Sequence, residues 1–151
     1  MLASAGLPGL AALIDVDHFK AINDNNGHEV GDQVIRHVSK FLAGAGRSTD
    51  LVGRLGGDEF IILLQNPRER AVQMLDRTRQ QLQVSPLRKD DGGVVEVELS
   101  VGVGSTAGTS GYDLESLMAA ADAALYVAKD RGRHQVVCLE MEDTQLQAPF
   151  V

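Results

Sequence analysis

The sequence predicts an α/β fold of the α+β sandwich kind, a mixed central sheet flanked by helices. Short apolar runs of strand length alternate with longer segments of helical periodicity, in the order strand, helix, hairpin, helix, strand, helix, strand. The 151 residues, 44% hydrophobic, are enough for one domain around one core. Sixteen glycines, no tryptophan and 4% aromatic residues describe a core built mainly of Leu, Val, Ile and Ala.

Leu10 to Val16 (Leu-Ala-Ala-Leu-Ile-Asp-Val) is a short apolar run ending in acids. It suits a buried central strand whose C-terminal end opens at a ligand site, with Asp15 at the mouth. Asn23-Asp24-Asn25-Asn26-Gly27 reads, taken alone, as a polar turn. From Gly31 to Phe41 the positions Val34, Ile35, Val38 and Phe41 recur at helical spacing, and Gly44 and Gly46 are expected to stop that helix. Two apolar runs, Leu51 to Leu55 and Phe60 to Leu64, flank Gly56-Gly57-Asp58-Glu59, which predicts a hairpin tip. Glycines there can take positive φ and let another molecule lie against the backbone, while Asp58 and Glu59 stand at the rim as oxygen ligands for a hard cation.

A helix from about Arg68 to Val84 follows, with Pro67 near its start, Pro86 beyond its end, and Val72, Met74, Leu75 and Leu82 directed inward. Asp90-Asp91-Gly92-Gly93 is a turn before one long strand from Val94 to Val103. The next helix starts at Asp113, an N-cap candidate, carries Leu114, Leu117, Met118, Ala121, Leu125 and Ala128 on one face, and ends at Gly132. A last strand, His134 to Leu139, closes a domain spanning residues 1–139, ahead of a tail over 140–151.

The formal charge of -7 argues against a general nucleic-acid binder, although local Lys and Arg residues can still hold a small phosphorylated ligand. Cys138 is the only cysteine, which excludes an intrachain disulfide and a Zn–Cys cluster and makes a reducing cytoplasm the simplest compartment. The apolar stretch from Met1 to Ile14 has no basic residue ahead of it and soon meets Asp15, so it reads as neither signal peptide nor membrane span.

Gly56-Gly57-Asp58-Glu59-Phe60 is the signature of the GGDEF family, and four further segments stand in that family's order. They are Asp15-Val16-Asp17-His18-Phe19-Lys20, then Asn23-Asp24 with Gly27-His28-Glu29-Val30-Gly31-Asp32, then Arg47-Ser48-Thr49-Asp50, and finally Ala124 to Arg133. Over about Leu10 to Val137 the chain resembles diguanylate cyclases, whose fold is similar to the polymerase palm and the class III nucleotidyl cyclases. The resemblance implies condensation of two GTP molecules into cyclic di-GMP and pyrophosphate, with Mg²⁺ (Mn²⁺ as the alternative), between two copies of the domain facing each other as a homodimer.

Carried over residue by residue, Asp15 and Asp58 become the metal carboxylates with the Val16 carbonyl, and Glu59 assists in deprotonation or metal positioning. Asp17, the second acid of its run, is either part of this set or a solvated or loop-capping acid. Asn23 and Asp32 become the guanine readers. Phe19, Lys20, Gly56, Gly57, Lys129 and Arg133 become substrate contacts, with the backbone N–H groups near His18 and Phe19 offered to phosphate. Arg47 and Asp50, with Arg77 on the next helix, match an inhibitory site for the cyclic product. His28 and His37 read as packing or surface residues, since Mg²⁺ prefers oxygen.

One family feature is missing. Members usually carry a long helix and an Asp-x-Leu-Thr-x-Leu-x-Asn-Arg segment before the first strand, whereas Gly6-Leu7-Pro8-Gly9 leads directly into Leu10. Apolar sheet surface is therefore expected to need cover from the tail (Leu146, Pro149, Phe150, Val151), a partner or self-association. The function that follows is a weak, concentration-dependent cyclase. A catalytically weak or inactive module binding GTP or cyclic di-GMP is the alternative.

Overall fold

The computed structural model describes residues 9–45, 51–105 and 114–140. The central strand β1 (Leu10–Val16) leads into α1 (Phe19–Asn26) and α2 (His28–Ala45), followed by the hairpin β2 (Leu51–Gly56) and β3 (Glu59–Leu64). Then come α3 (Arg68–Gln83), two short strands β4 (Leu87–Arg88) and β5 (Val94–Val95), the strand β6 (Leu99–Ser105), α4 (Leu114–Asp130) and β7 (Val136–Glu140). The main sheet has five strands in the order β2-β3-β1-β6-β7, and β4 and β5 form a separate two-stranded ribbon. Only the β6–β7 pair is parallel, so the sheet is mixed as expected.

Successive side chains of a strand point to opposite faces, and in β1 this parity decides where the acid goes. Leu10, Ala12, Ile14 and Val16 enter the larger core with Val34, Val38 and Leu42 of α2 and Leu75 and Leu82 of α3. Ala11 and Leu13 face the other way, onto Leu117, Ala121 and Leu125 of α4. Asp15 shares their parity and so falls on the α4 side. That helix can lie close because β6 offers it glycines. A Cβ added at Gly102 would come within 2.1 Å of the Leu125 nitrogen and 2.4 Å of the Ala121 carbonyl oxygen, and one at Gly104 within 2.5 Å of the Leu117 carbonyl oxygen. The facing helix surface is correspondingly small, with Ala120, Ala121, Ala124 and Ala128 all buried.

Several boundaries differ from the sequence reading. Asn23 to Asn26 belong to α1 rather than to a polar turn, and Gly27, at φ 88°, separates α1 from α2. Gly44 lies inside α2, which starts at His28. The strand expected from Val94 to Val103 is two strands, because the turn at Gly92 (φ 90°) pairs Arg88 with Val94 while residues from Leu99 onward pair with β1. The α3 helix ends at Gln83, with Val72 and Met74 half-buried and Leu75 and Leu82 inside. Strand β7 starts at Val136, because His134 has φ 50° and cannot join a ladder. His37 packs edge-on to Phe41 at a ring separation of 5.1 Å and meets the Ser85 carbonyl oxygen at 2.6 Å, which is a packing role. Glu140, expected as the first residue of the tail, ends β7, while Asp113, residues 141–151 and the segment ahead of Gly9 lie outside the described residues, and with them the expected cap and the tail's covering role.

Strands β1 and β6 are almost entirely buried, while the exposed apolar side chains Leu51, Val52 and Leu55 sit on the edge strand β2. No helix among the described residues is long and apolar enough to cross a membrane. The glycine contact between β6 and α4 yields a direct test. Gly102→Ala should destabilise the domain by about 3 kcal/mol, since the clash is with helix backbone that cannot yield locally. The loss would appear as a lowered midpoint in urea unfolding, and an unchanged midpoint would contradict the packing described.

Candidate active site

Asp15 lies at the end of β1, in register with Glu59 of β3 on one side and Ser100 of β6 on the other. One residue on, the Val16 N–H donates to the Asp58 carbonyl oxygen at 3.1 Å. That bond fastens the hairpin tip to the end of the central strand, and the two carboxyl groups meet. Burial chiefly, and then hydrogen bonding and like-charge repulsion from Asp15, push the Asp58 carboxyl up to about 6, with Lys129 pulling the other way. A hydrogen bond between two carboxyl groups requires a proton on one of them. With both ionised, Asp15 Oδ1 is buried with no donor, while Asp15 Oδ2 is paired with the Lys129 ammonium at the end of α4.

The tip itself differs from expectation in one respect. Neither Gly56 nor Gly57 has a positive φ. What the glycines provide is space, because a Cβ added at either would meet nothing within 4 Å. The turn is held instead by Arg54, whose Nε donates to the Gly56 carbonyl oxygen at 3.1 Å and Nη2 to that of Gly57 at 2.7 Å. Glu59 is half-buried at the first position of β3.

On the opposite side of Asp15 the chain turns through His18, at φ 56° and ψ 34°, into α1. A non-glycine residue in the left-handed region is uncommon and marks a backbone held by its surroundings. Phe19 packs its ring on the core and leaves only its backbone N–H at the helix start on the site side. Lys20 is exposed and pairs with Asp24 at 3.4 Å, a contact of little energetic weight.

The short link at Gly27 folds α1 back on α2 so that Asn23 lies against Gly31, the residue before Asp32. The Gly27 N–H donates to the Asn23 carbonyl oxygen at 2.7 Å, and the Gly31 N–H donates to that of Gly27 at 3.1 Å. Asn23 Oδ1 is buried without a partner among the described residues, and a Cβ at Gly31 would lie 1.8 Å from it. Gly31 thus makes room for the Asn23 amide. Asp32, the next residue, is exposed.

Arg133 follows α4 with φ 66°, and its guanidinium makes no hydrogen bond or ion pair with the described residues. Arg77 is exposed on α3, and Arg47 and Asp50 lie outside the described residues. Asp17 is no solvated acid. It is buried and accepts from Ser100 Oγ at 2.6 Å and from the His134 N–H at 3.0 Å. The parts the sequence reading missed are therefore Arg54, Ser100 and His134. Arg54 had a local signal, lying two residues before the tip, whereas the partners of Asp17 are 83 and 117 residues away in sequence.

Two kinds of relative place this geometry. Diguanylate cyclase DosC of Escherichia coli (strain K12) is 41% identical over 132 residues, 87% of this chain and 28% of the relative. Response regulator PleD of Caulobacter vibrioides is 40% identical over 134 residues, 87% of this chain and 29% of the relative. The chain thus spans under a third of the length of these relatives. Among solved structures, the GGDEF domain of DgcB from Caulobacter crescentus, in complex with c-di-GMP, superposes with a TM-score of 0.84 at 29% identity, covering 90% of this chain and 80% of that one. The GGDEF domain of YfiN (TpbB) from Pseudomonas aeruginosa does so with a TM-score of 0.85 at 32% identity, covering 96% and 84%. The family profile described as diguanylate cyclase, GGDEF domain, matches residues 3–135, so the acid pair and the glycine tip lie within a matched domain and the chain belongs to the GGDEF-domain family.

Proposed function

We propose that the chain is the cyclase module of a diguanylate cyclase, joining two GTP molecules into cyclic di-GMP with release of pyrophosphate. The observation that carries this reading is the Asp15–Asp58 pair, with one buried carboxylate oxygen lacking any donor. Two carboxylates pressed together attract positive charge, which Lys129 supplies only at Asp15 Oδ2, and oxygen donors of this type fit a hard divalent cation. Asp15, Asp58 and the Val16 carbonyl would hold Mg²⁺, or Mn²⁺ in its place. When bound, the cation would polarise the α-phosphate and lower the pKa of the attacking 3′-hydroxyl.

The remaining groups bind and orient. Lys129 and Arg133 neutralise the triphosphate, and the N–H groups at His18 and Phe19 receive phosphate oxygens at the start of α1. The paired Lys20 is a weaker contributor. Asn23 offers its amide and Asp32 its carboxylate to the guanine edge. Gly56 and Gly57 let the nucleotide lie against bare backbone. Glu59, beside Asp58, takes or positions the hydroxyl proton.

One module holds one GTP, and the bond to be made joins the 3′-oxygen of one nucleotide to the α-phosphorus of another. Two modules must therefore face each other with their tips opposed, and holding the reactants together supplies much of the rate. The active species is a homodimer in this reading. Product inhibition would use Arg47, Asp50 and Arg77. A relative's domain solved with c-di-GMP supports the choice of ligand class.

Two outcomes are expected. With GTP and Mg²⁺, purified protein should yield cyclic di-GMP at a rate rising more steeply than linearly with protein concentration, and Asp58→Ala should lower it by about a hundredfold or more. Nucleotide binding without product would instead make the chain a binding module. Second, divalent-cation affinity should fall as pH drops through about 6, because the Asp58 proton competes with the cation. The raised carboxyl favours the metal-free fold most at acid pH and loses that contribution as pH rises through about 6, where the cation restores it. Calorimetric titration of the cation across this range checks the first sign and urea unfolding of the metal-free protein the second. A pH-independent affinity would contradict the first, and metal-free stability that does not fall as pH rises toward 6 the second.

A further inference from the structure

Helix α4 is followed by three successive residues of positive φ: Gly132 at 111°, Arg133 at 66° and His134 at 50°. Glycine adopts this conformation freely, but two consecutive side-chain-bearing residues persist there only when their surroundings fix them. The fixing contacts are explicit. The Arg133 N–H closes the helix end on the Ala128 carbonyl oxygen at 2.9 Å, and Gln135 Nε2 donates to the Arg133 carbonyl oxygen at 3.0 Å. The His134 N–H donates to Asp17 Oδ2 at 3.0 Å, with Ser100 Oγ at 3.2 Å. The His134 ring lies against the Arg79 guanidinium, with Nη1 at 3.0 Å from Nε2, and Arg79 is held by Asp76 at 2.7 Å.

Asp17 is 4% exposed, and both its oxygens accept bonds. Its own N–H donates to the Glu98 carbonyl oxygen at 2.9 Å, and it sits between Val16 and the left-handed His18. One buried carboxylate thus joins the turn after β1 to the turn after α4. Asp17, Glu98 and His134 come within 4.8 Å of one another, as metal ligands would, but Arg79 already supplies a cation there and Asp17 is already bonded. The cluster is a structural clasp. Arg133 has no side-chain partner among the described residues, so what the clasp fixes is the place and exit direction of its Cα–Cβ bond.

We propose that Asp17 is a positioning residue: by holding the His134 N–H it fixes the left-handed turn and so aims Arg133 at the triphosphate. This rests on the cyclase reading of the site, in which Arg133 contacts phosphate. Asp17 touches no substrate in this reading, and the effect under test is the one it exerts through Arg133. Its neighbour in the clasp, Ser100, donates to Asp17 and shares the His134 N–H with it.

The test is a double-mutant cycle on nucleotide affinity, measured calorimetrically with Mg²⁺ and a GTP analogue whose α-phosphate cannot be transferred. Asp17→Ala should weaken binding about tenfold, as should Arg133→Ala, and the double variant should be weaker than either single by no more than about twofold. Asp17→Asn should recover most of the affinity, since its amide oxygen can still accept from His134 and its NH₂ can donate to Ser100. A general structural defect would weaken binding equally in both backgrounds, and losses that multiply to about a hundredfold would overturn the proposal. So would an unaltered affinity in Asp17→Ala. If that variant does not fold, Ser100→Ala serves in its place, with a smaller loss that must vanish when Arg133 is Ala. An unmutated chain that fails to bind the analogue removes the cyclase reading and this proposal together, whereas binding with multiplying losses removes the proposal alone.

Discussion

Asp15 and Asp58 are held side by side at the end of the central strand, and the arrangement of the rest of the site follows from the electrostatic demand of that pairing. The backbone enforces it. The Val16 N–H bonds the Asp58 carbonyl oxygen, and the β1–β3 ladder brings Glu59 opposite Asp15, so the backbones that carry the two acids cannot separate without breaking these hydrogen bonds. Burial and mutual repulsion raise the Asp58 carboxyl to about 6, and the Lys129 ammonium occupies the remaining Asp15 oxygen. The metal-free site therefore meets its charge demand from within, partly by protonation and partly by a lysine. In the cyclase reading, a divalent cation takes over this role and frees Lys129 for the triphosphate.

The reach of Lys129 depends on packing far from the acids. Lys129 lies in the last turn of α4, and α4 can approach the sheet because Gly102 and Gly104 leave no Cβ between β6 and the helix backbone. The same helix ends in the left-handed turn that carries Arg133, which is clasped to the β1–α1 turn through Asp17. Both cations are thus placed by one helix, whose height above the sheet and whose exit are each fixed by contacts with β6 and the end of β1. On the other side, Gly31 clears the space that Asn23 occupies.

What could be read from the sequence is what strand parity and local turn chemistry determine. Leu10 to Val16 is buried on both faces and ends in an acid, and the Gly-Gly tip between two apolar runs could hardly be anything but a hairpin. Helix α1 escaped the reading because its polar residues give no apolar periodicity. It buries no residue fully and is held by Phe19 and Ile22 against the larger core. The break between β5 and β6 escaped it because alternation continues through Val97, which is buried without belonging to a strand. Asp17 could not be assigned, since a loop-capping acid and a ligand acid look alike until partners such as Ser100 and His134 are placed. Gly132 signals the end of α4, but nothing in the sequence signals that the left-handed conformation continues through Arg133 and His134.

The central claim is that Asp15 and Asp58 together form a divalent-cation site. Anomalous diffraction from crystals of the protein grown with Mn²⁺ and a non-reactive GTP analogue tests it most directly. The account predicts a manganese peak at about 2.2 Å from carboxylate oxygens of both Asp15 and Asp58, with Lys129 moved off Asp15 toward the phosphates. A peak at the Asp17–Glu98–His134 cluster instead, with Lys129 still paired to Asp15, would contradict it.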